Sequence, residues 1–470
     1  MYYKLNRDIA LRSWKMVPYA YYIYGNRNAI GLKQEEWDLL CSCDGVTDME
    51  PSSLLEELQG KGMCSPCECG DRIDEWQKER ACDNRYFAAL NWTITGKCNL
   101  NCRHCFMAAD NAPLMTEFNW EQCINLLDEI ERCGIQTISL TGGEPMLHPN
   151  FMDIVCESCR RRITINEIIT NGSFITDKIL EEFISLNCFP LFKVSFDGLT
   201  HHNWMRGVSG IEQKTLEVIK LLHDKGFQVR IQMNLHKGNL DTALQTLIMF
   251  DQMGIEELRL IRTTEAPRWA QNGGDLCLDL EEYYNIALSI TRDYLSTKPQ
   301  MSIDIWQFLQ FWPGRKNYHL RPVEGGEHIY RDTFPVCRGN RGMVSITADG
   351  DIVPCNQVSG KLKQDNIRLG NVHITPLQQL LSNGDYIDSV TYTVGKLREN
   401  NPHCQDCDYW KLCMGGCRAC AYALTDKLMG YDPAKCLYFK KGYMQKTIEL
   451  FEQINQCANE KYTCIDDIVK

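Results

Sequence analysis

Three cysteines stand close together in "TITGKCNLNCRHCF", residues 93–106: Cys98, Cys102 and Cys105, spaced C-x3-C-x2-C. Three thiolates cannot close a tetrahedral zinc site, nor can they give a four-iron cube its full set of ligands. On one short loop they can hold three corners of a [4Fe–4S] cluster and leave the fourth iron open to a small molecule. A second group lies downstream: Cys337-x12-Gly350-x4-Cys355, then Cys404-x2-Cys407-x5-Cys413-x3-Cys417, then Cys436, with Cys420 beside them. A zinc-ribbon-like tetrad would use only four of these ligands. A third set, Cys64, Cys67, Cys69 and Cys82, could hold a further metal, but its spacing matches no defended pattern.

The chain has 25 cysteines in 470 residues. Its first residues, "MYYKLNRDIALRSW", show no apolar segment after a basic one, so no signal peptide is read and a cytoplasmic protein is expected. In a reducing compartment so many thiols point to metal or Fe–S ligation rather than disulfides. Cys123, Cys133 and Cys156 fall in helical patterns and read as small core residues. A net charge of −11 argues against nucleic-acid binding, and the lack of an 18-residue apolar run argues against a membrane span.

These cysteines must be positioned by regular elements. Residues 1–70 read as a small domain, with strands in "IALRS" and "YAYYIYGNRNAIGL" and a turn at Gly25-Asn26. Helices follow from Gln34 to Leu40 and through "EPSSLLEELQGKG", with Pro51 in a first turn. Residues 71–89, with the charged "DRIDEWQKER", read as a helical linker. Residues 90–329 alternate strand and helix through "LNWTIT", "QTISLTG", "NEIITNG", "KVSFDG", "QVRIQMN" and "ELRLIRT". Trp120, Ile124, Leu127 and Ile130 make a helical apolar stripe between the first two strands. Such a series implies an α/β fold with a parallel sheet and right-handed crossovers. Periodicity leaves a partial barrel and an open doubly wound sheet equally suited. Residues 330–440 are loop-rich and cysteine-dense, and 441–470 read as a C-terminal helix.

The triplet after the first strand sits where α/β folds gather ligands. There it resembles the radical S-adenosylmethionine (SAM) superfamily. That resemblance implies a partial (β/α)6 barrel, and a cluster on Cys98, Cys102 and Cys105 whose open iron is chelated by SAM. Further motifs fall at successive strand ends. "TGGEP" contributes Gly142, Gly143 and Glu144, which the resemblance assigns to the SAM amino group; two glycines permit close backbone approach and the carboxylate suits an ammonium. "TNG" contributes Asn171, "SFDG" Ser195 and Asp197, and "QMN" Asn234. Arg206 takes the place of an arginine facing the SAM carboxylate, for which a guanidinium fork is suited. His104 takes the aromatic position near the adenine. Any one of these has a plain structural reading as a turn or strand exit.

The downstream cysteines resemble a SPASM domain. That resemblance implies an outer auxiliary cluster on Cys404, Cys407, Cys413 and Cys436, and an inner one on Cys337, Cys355 and Cys417. The inner cluster's fourth family ligand is absent from "CRGNRGMVSI", so its iron is open or borrows a ligand such as Cys420. The implied cofactors are three [4Fe–4S] clusters and SAM. Residues 1–70 resemble the PqqD-like winged-helix recognition element, in which a leader peptide adds a strand to a sheet edge. Residues 1–33 carry Lys4, Arg7, Arg12, Lys15, Arg27 and Lys33 against Asp8 alone, a net +5 that suits an acidic leader. The implied function is maturation of a ribosomally synthesised precursor peptide, most specifically by thioether or other crosslink formation. A flavodoxin or ferredoxin would serve as reductant, with no nucleic acid and no membrane involved. The alternatives are a haem-pathway or sulfatase-type radical SAM maturase and a non-catalytic Fe–S peptide-binding protein. No catalytic base is identifiable.

Overall fold

The structure is a computed structural model that describes residues 1–26, 28–105, 115–263, 268–337, 342–458 and 461–466. Arg27, Phe106 and the 338–341 part of "CRGNRGMVSI" lie outside the described residues.

The chain opens with β1 (Tyr2–Leu5), β2 (Ile9–Lys15), β3 (Val17–Ile23), β4 (Ile30–Gly31), α1 (Gln34–Cys41), α2 (Ser53–Gly60), β5 (Cys64–Cys67) and β6 (Arg80–Arg85). Strands β4-β3-β2-β6 form one sheet and β1-β5 a second, two-stranded one. Leu5, Leu11, Leu40, Leu55 and Leu58 close a core between sheets and helices. Ser52, not Pro51, starts α2: its side chain accepts from the Leu55 N–H, which satisfies one orphan donor of the first turn. The expected helix over 71–80 is absent. Arg12 takes its place as the organising element: its buried guanidinium donates to the carbonyls of Trp76 (2.8 Å) and Lys78 (2.9 Å) and holds this segment as a loop. The loop then delivers β6 alongside β2, in parallel.

Next come β7 (Ala89–Thr95), α3 (Trp120–Arg132), β8 (Thr137–Gly142), α4 (Phe151–Arg160), β9 (Thr164–Thr170), α5 (Asp177–Ser185), β10 (Leu191–Ser195), α6 (His202–Arg206), α7 (Ile211–Asp224), β11 (Val229–Leu235), α8 (Leu240–Gln252), β12 (Glu257–Arg262), α9 (Trp269–Asn272), α10 (Leu280–Ser296) and β13 (Ser302–Ile305). Strands β7 to β13 pair in chain order, every neighbour parallel. Unreversed order has no switch point, and right-handed crossovers then place the helices on one side. The side chains agree. Phe192, Val194, Ile231, Leu258 and Ile303 are buried in the apolar core. The alternate face carries the ion pairs Lys193–Glu167 (2.7 Å), a diagonal pair between neighbouring strands, and Arg230–Glu257 (2.7 Å) and Arg259–Asp304 (3.1 Å), both between register partners. A doubly wound sheet would be apolar on both faces. This is a partial barrel with a polar lumen, and β13 is a parallel strand beyond the six read from sequence.

In α3, Leu127 and Ile130 are buried as expected, together with Cys123 and Leu126, while Ile124 is half-buried and Trp120 is an exposed first-turn residue. Cys123 and Cys133 are core residues, but Cys156 is exposed on α4 and is not.

Both barrel edges are extended. Strands β14 (Leu309–Trp312) and β15 (Asn317–Leu320) continue from β13; β16 (Met343–Ile346) and β17 (Ile352–Val353) add beside β7; β18 (Thr463–Cys464), after the helix Tyr443–Ala458, pairs with β15. The first unit docks on the rear of the barrel: Trp14 Nε1 donates to the Cys133 carbonyl at 2.8 Å, and a Cβ on Gly134 would fall 2.8 Å from that nitrogen. Among the described residues no helix is long and apolar enough to cross a membrane.

Arg12→Met should uncouple the 71–79 loop by leaving two carbonyls without their charged donor, at about 2–4 kcal/mol of stability. Urea unfolding reads the total, and hydrogen exchange reads the place: amides around Gln77 should lose protection first. Unchanged exchange there would mean that the loop is held by something else.

Candidate functional site: the strand ends of the barrel and the cysteine-rich segment

The first cysteine loop is fixed by close backbone contacts. A Cβ on Gly143 would lie 2.3 Å from the Lys97 carbonyl oxygen, one on Gly142 2.7 Å from that of Thr95, and one on Gly96 2.1 Å from that of Met115. The glycines of "TGGEP" therefore make room for the chain that carries Cys98, rather than only for a ligand. On its other side the loop is tied to α6: Asn101 N–H donates to the Arg206 carbonyl (3.2 Å) and Arg103 N–H to that of Met205 (2.9 Å). The Arg103 guanidinium also stacks 4.7 Å over Trp204.

Glu144 is wholly buried. Its carboxylate accepts from the Thr170 hydroxyl (2.9 Å), the Asn171 N–H (2.8 Å) and the Met146 N–H (3.2 Å). These contacts join the end of β8 to the end of β9. Burial pushes the group up to about 7, against those three donors. A carboxylate offers about four acceptor sites, so one remains. Asn171 continues the chain of contacts: its amide donates to Asn99 Oδ1 (3.0 Å) and approaches Cys98 Sγ (3.9 Å).

Asp197 is the second buried carboxylate, just beyond Ser195 at the end of β10. Arg206 Nε lies 2.7 Å from its Oδ2. Neither atom makes a well-directed hydrogen bond, so this contact is an ion pair held by proximity. Burial alone would raise Asp197, but Arg206, then His104 and His202, hold it well below the carboxylate range. Arg206 also donates to Cys102 Sγ at 3.6 Å. The guanidinium expected to face a SAM carboxylate thus already faces a protein carboxylate and the thiol of Cys102.

An ionised carboxylate only accepts, so Asn234 turns its Nδ2 to Asp197 Oδ1 (3.2 Å). The same nitrogen lies 3.0 Å from His104 Nε2, which must therefore accept. That places the His104 proton on Nδ1, a buried atom with no partner. Burial pushes His104 down to about 4, so the ring is neutral. His202, not singled out in the sequence, completes the group: its Nδ1 accepts the Asp197 N–H at 3.0 Å. The H-N-W-M-R-G run, closed by Gly207 at φ +70°, was the available signal for α6.

The downstream cysteines fall into two groups. Cys436 feels Cys404 and Cys407, and Cys413 feels Cys436; separately, Cys355 feels Cys417 and Cys337. Between them lies buried Asp432, also missed from sequence, whose carboxylate accepts the Cys417 N–H at 2.8 Å. A Cβ on Gly416 would strike it at 2.5 Å. Arg418 donates to the carbonyls of Gly430 (2.7 Å) and Leu428 (3.1 Å) and pins the segment from inside. The early quartet does not assemble: Cys82 packs with Trp14, while Cys64 packs with the core of the first unit. Among the described residues no three His, Cys, Asp or Glu side chains converge on one metal ion. Ligands of a cube are spread over four irons and need not so converge.

The model of the radical SAM superfamily matches residues 92–250, and that of the SPASM iron–sulfur cluster-binding domain matches residues 337–408. The chain carries a radical SAM domain. It is followed by a SPASM domain, and the protein is a radical SAM enzyme. It is 24% identical over 356 residues to an AdoMet-dependent heme synthase of Methanosarcina barkeri, covering 74% of this chain and 96% of the relative. It is also 24% identical over 351 residues to the mycofactocin maturase MftC of Mycobacterium tuberculosis, covering 73% and 81%. In fold it matches Streptococcus suis SuiB, solved bound to the precursor peptide SuiA, with a TM-score of 0.63, 15% identity, and 92% of this chain and 99% of that one covered.

The donor set suits the radical SAM cofactors. Each group brings several thiols together, the ligand type of Fe–S clusters. The remaining acceptor site on Glu144 fits an ammonium, and the orphaned His104 Nδ1–H fits a ligand acceptor. When bound, SAM and its cluster would supply a 5′-deoxyadenosyl radical, and Glu144, His104 and the three cysteines would hold and orient them.

Anaerobic reconstitution should load about 12 irons per chain, and replacing Cys98, Cys102 and Cys105 by Ala should remove about four together with SAM cleavage. Gly143→Ala should mimic that loss by displacing Lys97. Retention of SAM cleavage in the triple variant would sink the radical site. Glu144→Gln removes a charge while keeping the shape; a charge-assisted bond of roughly 1.5–3 kcal/mol predicts at least tenfold weaker SAM binding by equilibrium dialysis. Equal affinity would place the amino group elsewhere.

Proposed function

We propose that this radical SAM enzyme matures a ribosomally synthesised precursor peptide, abstracting hydrogen from the core peptide and closing a thioether or other intrapeptide crosslink. The observation that carries this reading is the reach of the fold match. SuiB, solved with its precursor peptide, covers 92% of the chain, and the uncovered share is smaller than the first unit that ends at β6. In this reading the first unit is a PqqD-like element that takes the leader as an added strand. The outer edge of β3 is suited to it, since among the described residues it is covered only in part, by β4 at Ala20 and Tyr21 and by the Leu32 N–H at the Tyr19 carbonyl. The protein would act in the cytoplasm, with flavodoxin or ferredoxin as reductant.

Charge supports this less than the sequence suggested. Arg12 is in the interior, and Lys4 pairs with Asp71. Backbone hydrogen bonds and side-chain pockets would carry leader affinity, with little dependence on salt. A haem-pathway reaction is the second reading, favoured by the heme synthase relatives.

Deleting residues 1–70 would strip β2 from β6 and unseat Trp14, so the test shortens the substrate and leaves the enzyme whole. Full precursor should lose two hydrogens per crosslink by mass. The same peptide without its leader should react on the order of a hundredfold more slowly, because delivery at high effective concentration is lost. Equal rates with and without leader would refute leader reading by the first unit. Turnover of a tetrapyrrole with no change in peptide mass would establish the haem-pathway reading instead.

A further inference from the structure

We propose that Cys420 is the fourth ligand of the inner auxiliary cluster, completing Cys337, Cys355 and Cys417. The inference rests on the auxiliary-cluster reading of the SPASM domain and adds to it a residue outside that domain's cysteine pattern.

Cys417 is the N-cap of the helix Arg418–Thr425, and Cys420 is the third residue of that helix. Side chains at these two positions face each other across a helix start, as they do in a capping box. The two thiols accordingly sit side by side at the start of this helix. Cys420 therefore lies on the side of Cys417, a thiol of the inner group. Its thiol is buried, and its other partner is the neutral Gln307 Oε1 at 3.4 Å.

The surroundings suit an anionic cluster at this point. Cys355 is the N-cap of a second helix, Asn356–Gln364. The two helices pack through Val358, Leu362 and Tyr422, with Cys355 and Ala419 against them. Two helix N-termini thus converge on the same thiols, and each favours negative charge. Arg259 acts on Cys355, and Arg262 acts on Cys420, from one strand of the barrel. Between Cys337 and Met343 the sequence "RGNRG" supplies no cysteine that could compete for the fourth iron. Ligation by Cys420 leaves this cluster no coordination position for a substrate thiolate. The open iron would then be confined to the site at Cys98, Cys102 and Cys105.

The test uses reconstituted full-length protein carrying the three alanines at positions 98, 102 and 105, so that only auxiliary clusters are read. Cyanide is the probe of an open iron. Without further change it should leave the EPR spectrum of the reduced protein unaltered. Adding Cys420→Ala should create a cyanide-dependent shift in one of the two cluster signals, or release about four irons while the other cluster stays. Cys420→Ser, which retains an oxygen ligand, should keep about eight irons and resist cyanide. A cyanide shift before Cys420 is touched would overturn the proposal, as would identical spectra and cyanide responses with Cys420→Ala. Fewer than about eight irons in the three-alanine protein itself would overturn the two-cluster reading, and the ligand assignment with it.

Discussion

Asp197 carries a charge where no water reaches it, and the geometry of the candidate site follows from how that charge is compensated. Removing a carboxylate from water is costly unless partners surround it. Here Arg206 supplies the countercharge, Asn234 a side-chain and a main-chain donor, and His202 the contact behind. Each partner is thereby fixed for a second purpose. Arg206 is held over Cys102, Asn234 sets the tautomer of His104, and His202 seats the turn after β10. One buried carboxylate therefore orients groups from β10, α6, β11 and the cysteine loop.

Glu144 does the same on the other side of the mouth. It gathers the ends of β8 and β9 through Thr170 and Asn171, and Asn171 reaches Cys98. The cysteine loop is suspended between these two acids, with glycines at 96, 142 and 143 allowing its backbone to lie against that of its neighbours. Preorganisation of this kind lets the thiols be placed by packing and hydrogen bonds before any cluster is assembled.

Around this mouth the chain uses the barrel's open edges. An unclosed parallel sheet leaves two rows of unpaired backbone groups. β16 covers one at β7 and so brings the SPASM segment beside the first cysteine loop; Thr116 N–H donates to Asp349 across that junction at 2.8 Å. β14, β15 and β18 cover the other. The first unit takes a different place, against the C-terminal end of α3, where Trp14 and Arg80 meet the carbonyls of Cys133 and Glu131.

The sequence by itself determined the strand–helix alternation, the cysteine spacings and the strand-end motifs, because local periodicity and short-range spacing are written in neighbouring residues. It also revealed both acids, since each stands in a short motif. Other contacts were another matter. Asp432 and the clasp of Arg12 on Trp76 and Lys78 involve a charge that looks like surface when read locally, and His202, five residues beyond Asp197, meets it only through the turn after β10. For the same reason periodicity alone does not separate the barrel, which the family resemblance implied, from a doubly wound sheet: Lys193, Arg230 and Arg259 become one polar lumen only when register aligns separate strands. The linker was misread as a helix because charge content says nothing of a buried guanidinium waiting for carbonyls. Whether Cys420 faced Cys417 depended on where a helix began, and only the tertiary structure decided that.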